Sequence, residues 1–169
     1  IRRPSHRRYN LVLAGVTGLA TVAYVLMALG VSAVTVGDHT VYIARYVDWL
    51  LTTPLLVLYL AMLARPSART YLALVGLDVL VIGAGIAAAL TPTAEKWLFY
   101  AVGGVAYVAL VYGLMVTLPR ALGDDADPRV SATFTTLRNL TVVLWTLYPV
   151  VWVLSPAGIG VLQPEMEAI

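Results

Sequence analysis

The sequence runs to 169 residues, of which 60% are hydrophobic and 12% charged, with a formal net charge of +2 and a mean hydropathy of +0.86. That balance excludes a water-soluble globular domain. The lack of cysteine removes disulfides and thiolate metal sites without fixing a compartment.

Apolar runs of membrane-spanning length recur along the chain, so residues 1–169 read as one all-α, polytopic membrane helical bundle. The opening Ile1–Arg8 carries neither an initiator methionine nor a signal-peptide pattern and leads straight into a full-length span. The expectation is therefore that the sequence begins inside a longer protein. Five helices are predicted, over residues 8–32, 41–64, 70–90, 95–118 and 128–154. The connections 35–40, 65–69 and 91–94 are short, which makes successive helices antiparallel neighbours. His6 and His39 are read as loop residues rather than metal ligands, and Asp124, Asp125 and Asp127 as solvated carboxylates of a polar loop.

Arg2, Arg3, Arg7, Arg8, Arg65, Arg69, Arg120, Arg129 and Arg138 all fall on one side of this topology, and only Lys96 marks the other. The excess side is expected to be cytoplasmic, which puts the N-terminal end of the chain inside the cell.

The second helix carries charge near its start, in Arg45-Tyr-Val-Asp-Trp-Leu-Leu-Thr-Thr-Pro54. A charged side chain deep in a bilayer costs roughly 2.5–3.5 kcal/mol, so it usually faces a protein interior and serves a function. At 100° per residue, Thr52 lies about 40° and Tyr59 about 20° from Asp48 around the helix, Tyr59 being roughly 16 Å further along. One face thus bears a carboxylate, a hydroxyl and a phenol; the plainer alternative is an Arg45–Asp48 pair with the hydroxyl bonded to its own backbone. The third helix holds a second acid, Asp78, which in apolar surroundings should be protonated or hydrogen-bonded. Gly76, Gly83, Gly85, Gly103 and Gly104 are read as sites of close helix approach. In the fifth helix Trp145, Tyr148 and Trp152 fall within about 60° of one another, as an aromatic wall facing an internal ligand would. Pro54 and Pro149 offer bends.

Arg45-Tyr-x-Asp-Trp-x-x-Thr-Thr-Pro54 resembles the third helix of the microbial (archaeal, type 1) rhodopsins, and Leu137-Arg-Asn-Leu-Thr-Val-Val-Leu-Trp-Thr-Leu-Tyr-Pro-Val-Val-Trp152 resembles their sixth. The resemblance runs from about Arg7 to the end, and it implies a seven-helix rhodopsin-like fold of which these five are the second to the sixth. Carried over residue by residue, it makes Asp48 the counterion of a protonated retinal Schiff base and the acceptor of its proton after photoisomerisation. Arg45 would hold negative charge on the extracellular side, Thr52 would bond Asp48, and Thr53 would bond Asp78. Trp49, Thr53, Val81, Gly85, Trp145, Tyr148 and Trp152 would line the cofactor, all-trans retinal. Tyr24 matches a tyrosine of the family's second helix. The retinal-bearing lysine of the seventh helix has no counterpart in this chain, because Lys96, the only lysine, sits at the extracellular start of the fourth helix.

Position 59 discriminates within the family. Outward proton pumps carry a carboxylic acid there to reprotonate the Schiff base, whereas a tyrosine holds its proton too tightly to donate near neutral pH. A slow return to the dark state would suit a signalling protein. The start, Arg7-Arg-Tyr…Val22-Ala-Tyr-Val-Leu-Met-Ala-Leu-Gly30, resembles the sensory rhodopsin II branch, photoreceptors for blue-light phototaxis. The resemblance therefore implies a photoreceptor in the cell membrane, surrounded by lipid, with a two-helix membrane transducer as partner and room for a homo-oligomer. The runner-up is a light-driven outward proton pump or a pump/sensor intermediate. It draws on Asp78, where the sensory branch is associated with asparagine, and on Glu167, which matches one of the pumps' two proton-release glutamates while Ala157 replaces the other. A third reading is a retinal-free scaffold. No nucleophile–base pair, phosphate loop or metal cluster suggests an enzyme, and the arginines form a topology pattern rather than a nucleic-acid patch.

Overall fold

The computed structural model describes residues 4–37 and 39–162, leaving Glu167 outside the described residues. Five rods long and apolar enough to cross a membrane follow one another in the chain, spanning Arg7–Ala28, Ile43–Ala64, Ala68–Leu90, Lys96–Leu122 and Pro128–Leu154.

α1 (Pro4–Ala28) stops four residues before the predicted end because Gly30 takes φ 67. Gly30 N–H donates to the Met27 carbonyl and Val31 N–H to the Leu26 carbonyl, at 2.9 and 3.2 Å. These are the paired bonds of a Schellman stop, and they need a residue tolerant of positive φ. His6 falls inside α1, not in a loop.

The all-α class holds, and within it the first connection carries a short hairpin that the sequence did not announce. β1 (Ala33–Val36) and β2 (His39–Tyr42) form an antiparallel hairpin in the register Ala33↔Tyr42 to Val36↔His39. The segment read as a loop is rich in Val and Thr, whose branched side chains suit a pleated surface; His39 therefore lies in a strand. Gly37 has φ 61, and a Cβ there would stand 3.3 Å from the Pro92 side chain, so the hairpin tip abuts the connection at residues 91–95. Val41 packs with Tyr46 and Ala89, which seats the hairpin on the helix ends.

α2 (Ile43–Ala64) runs through Pro54 and ends on Arg65, whose φ of 51 and N–H bond to Ala61 mark a left-handed cap. α3 (Ala68–Leu90) begins two residues before the predicted start because Ser67 caps it, accepting from Thr70 N–H. The fourth rod is not uniformly α-helical as predicted: α4 (Lys96–Tyr112) passes through a π turn at Gly113–Thr117 into the short α5 (Leu118–Leu122). Leu118 N–H donates to the Gly113 carbonyl, five residues back. α6 (Pro128–Leu154) opens with Pro128 at its first turn and Asp127 as its cap, accepting from Arg129 N–H at 2.8 Å. One of the three loop aspartates is thus structural.

The main core lies toward the Arg120 end, where Val57, Leu60 and Ala61 of α2 meet Leu74, Leu110, Leu114, Leu118 and Phe134. α1 and α6 bury only 6% of their apolar windows and present broad hydrophobic faces outward, as lipid-facing helices do.

Candidate functional site

α2, α3, α4 and α6 line a half-open cavity of about 330 Å³. Each helix contributes a stripe at helical spacing: Trp49 and Thr53 from α2, Asp78, Val81, Ile82 and Gly85 from α3, Tyr100, Gly103, Gly104, Tyr107 and Leu110 from α4, and Leu144, Trp145, Tyr148, Pro149 and Trp152 from α6. The cavity exists partly because α4 offers glycines. At Gly103 a Cβ would lie 3.3 Å from the Ala84 Cβ, so this glycine serves close approach as predicted; Gly85 and Gly104 instead face open space.

The walls are aromatic and mutually braced. Trp49 meets Tyr148 edge-on at 4.2 Å between centroids and Tyr46 at 5.7 Å, while Tyr100 stacks on Trp152 at 5.1 Å with an interplanar angle of 15°. Such packing holds bulky side chains in fixed rotamers around a space suited to a rigid apolar ligand. Trp152 is 4% exposed, and its Nε1 has no hydrogen-bond partner.

Two carboxylates serve this region differently. Asp78 lies in the cavity wall and is paired: Thr53 Oγ1 is 2.8 Å from Asp78 Oδ2, joining α2 to α3 as the resemblance implies. Asp48 is 5% exposed and lies just outside the cavity walls, with its Oδ1 buried and unpartnered. A buried carboxylate oxygen with no donor is costly, which makes it a place for a cation or a donor brought by a ligand. The expected Thr52 bond takes another form: its hydroxyl stands beside the carboxylate but donates to the Asp48 main-chain carbonyl at 2.8 Å. Main-chain bonding of this kind belongs to the plainer reading of the segment. Arg45 lies with its guanidinium 5.9 Å from the Tyr42 ring, toward the hairpin.

The seven residues expected to line a cofactor all border this one cavity; Asp48, Thr52 and Arg45 do not. The sequence reading missed Ile82, Tyr100, Tyr107, Leu110 and Leu144, and it gave Gly103, Gly104 and Pro149 other roles. The recurrence of Tyr100, Gly103, Gly104 and Tyr107 on one stripe of α4 was the available signal. Tyr59 lies away from the cavity, its ring edge-on to Tyr9 of α1 at 5.4 Å. Lys96 is not among the lining residues either, its Nζ donating to the Ala157 and Gly158 carbonyls at 2.6 and 3.0 Å.

The family model for bacteriorhodopsin-like proteins matches residues 1–169. The chain belongs to the bacteriorhodopsin-like family. Among curated relatives it is 70% identical to sensory rhodopsin-2 of Halobacterium salinarum over all 169 residues, which cover 70% of that protein. It is 42% identical to bacteriorhodopsin of a Haloterrigena strain, over 94% of this chain and 65% of that protein. Among solved structures, thermophilic rhodopsin from Rubrobacter xylanophilus superposes with a TM-score of 0.91 at 34% identity, over 96% of this chain and 73% of that one. The five helices are thus a bacteriorhodopsin-like bundle, and the cavity lies within it.

Proposed function

We propose that this protein is a retinal-based photoreceptor of the sensory rhodopsin type, which signals blue-light phototaxis through a two-helix membrane transducer. The observation that carries the reading is the full-length 70% identity to sensory rhodopsin-2, against 42% to a bacteriorhodopsin. Tyr59 supports it, since no carboxylic acid occupies the position that resembles the pumps' proton donor.

Retinal, when bound, supplies visible absorption and a light-driven isomerisation. The residues of this chain fit such a group: an aromatic cavity excludes water from a polyene, and a buried, unpartnered carboxylate oxygen stands ready for a cation. Trp49, Thr53, Val81, Gly85, Trp145, Tyr148 and Trp152 would confine the cofactor, and Asp48 would balance positive charge and take up a proton, with Thr52 and Arg45 setting its surroundings. Covalent attachment needs a lysine amine at the cavity, and Lys96 is engaged elsewhere. The arginine-rich end of the bundle would face the cytoplasm.

An outward proton pump is the second reading, favoured by the Asp78–Thr53 pair. Flash photolysis of the full-length gene product with all-trans retinal separates the two. Slow recovery of the dark absorption band, hastened by azide, is the expected result. Rapid unaided recovery with sustained acidification would favour the pump, and the absence of any visible band would favour a retinal-free scaffold. Asp48→Asn leaves no proton acceptor at that position and should slow the appearance of a blue-shifted, deprotonated band by about a hundredfold or more.

A further inference from the structure

Lys96 is placed against the electrostatic preference of its own helix. It is the first residue of α4, where the helix dipole disfavours a cation. Its ammonium reaches across to another helix end: Nζ donates to the Ala157 and Gly158 carbonyls, just beyond the C-terminus of α6, where a cation is favoured. The Trp97 ring lies 5.6 Å from the same ammonium.

The turn that Lys96 holds is folded back over the end of α6. Pro156 has no N–H to give to the Trp152 carbonyl, and the Ser155 hydroxyl donates there instead at 2.9 Å. Ile159 N–H donates to the Val153 carbonyl at 2.8 Å and Leu162 N–H to the Leu154 carbonyl at 2.7 Å. The orphan carbonyls of the helix end are thus satisfied from within the turn. A Cβ at Gly158 would overlap the Val153 carbonyl, so a glycine is what lets the turn sit this close. The turn's own carbonyls at 157 and 158 face away from α6, and both go to Lys96.

Beneath the turn is the cavity. Ala157, 4% exposed, packs with Ala88 and Trp152, and Trp152 stacks on Tyr100. Trp152 and Tyr100 line the cavity, whereas Ala88 and Ala157 do not. Lys96 lies about one turn before Tyr100 on α4. From the inside outward, the layers are therefore the cavity, the Trp152–Tyr100 stack, Ala157 and the Lys96 ammonium.

We propose that Lys96 is a positioning residue for the cofactor. It clamps the 155–160 turn, and the clamped turn keeps Trp152 in place and water out of that end of the cavity. The role toward retinal rests on the photoreceptor reading; the clamp itself does not.

The test uses the full-length protein in lipid bilayers. Lys96→Met keeps a long stem and removes the donor, whereas Lys96→Arg keeps the charge and several donors. Residues 1–169 contain no cysteine. Ser155→Cys, nearly isosteric at a fully buried position, therefore reports the turn through its labelling by a water-soluble maleimide, followed on the peptide that holds residue 155. Without retinal, Lys96→Met should raise that labelling rate about tenfold, as loss of charged hydrogen bonds that keep the turn closed implies, and Lys96→Arg should restore protection. With retinal bound, bleaching of the visible band in darkness by hydroxylamine should quicken by a similar factor in Lys96→Met and return to the parent rate in Lys96→Arg. Gly158→Ala lifts the same turn without touching the ammonium and should raise both rates. An unchanged labelling rate in Lys96→Met, or in Gly158→Ala where Lys96→Met does not fold, overturns the clamp. Faster labelling with unchanged bleaching overturns the positioning role. Gly113→Ala, beyond the opposite end of α4, is the control for general loosening, and equal acceleration there overturns the proposal too. A protein that shows the labelling pattern but no visible band would refute the photoreceptor reading and leave the clamp standing.

Discussion

Thr53 and Asp78 tie α2 to α3 through a hydroxyl that faces two acceptors, Asp78 Oδ2 at 2.8 Å and the Trp49 main-chain carbonyl at 2.7 Å. A threonine hydroxyl has one proton to give. The accounts balance if the Asp78 carboxyl carries its own proton and donates to Thr53 while Thr53 donates to Trp49. Asp78→Asn keeps a donor at that place and should cost well under about 1 kcal/mol. Thr53→Val leaves a buried carboxyl without its partner and should cost about 1–3 kcal/mol. Thermal unfolding in lipid measures both. Infrared difference spectra should show a protonated carboxyl band that Asp78→Asn abolishes and Thr53→Val shifts.

Position 59 offers a direct exchange of function. Tyr59 sits against Tyr9, whose hydroxyl donates to the Met62 carbonyl at 3.1 Å, so the phenol is braced by α1. Tyr59→Asp supplies a carboxylic acid on the same face of α2 and should hasten recovery of the dark band by about tenfold or more, with azide losing its effect. Loss of the edge-on ring pair should lower stability by about 0.5–1.5 kcal/mol. Unchanged recovery kinetics in a folded variant would mean that the position does not communicate with the chromophore.

What could be read from the sequence was whatever follows a single helix's geometry. The five spans, the face shared by Asp48 and Thr52, and the Trp145–Tyr148–Trp152 wall all follow from a 100° step and apolar length. The hairpin did not follow, because residues 33–42 are too short for a period of two to stand out between long apolar runs. Nor did the π turn, which starts at a glycine packed against Leu74 of α3. Thr52 shows the same limit: spacing put it beside Asp48, but only the folded chain shows its proton given to the backbone. The α4 wall was missed because Tyr100 and Tyr107 find their partners on α6, some 35 to 49 residues away in sequence.

Gly113 and Leu74 illustrate how such a neighbour acts. A Cβ built on Gly113 would overlap Leu74 Cδ2, and Leu74 is itself only 3% exposed. The π turn starts at this glycine. Gly113→Ala should therefore destabilise the bundle, by about 1–3 kcal/mol as overpacking does, even though alanine is the better helix former. Leu74→Ala alone should cost about 2–5 kcal/mol through the cavity it opens. The double variant should cost less than the sum of the two, because the new methyl enters the space that the leucine vacates. Thermal unfolding of the four proteins in one lipid gives the cycle, and strict additivity would show that Leu74 is not what keeps position 113 a glycine.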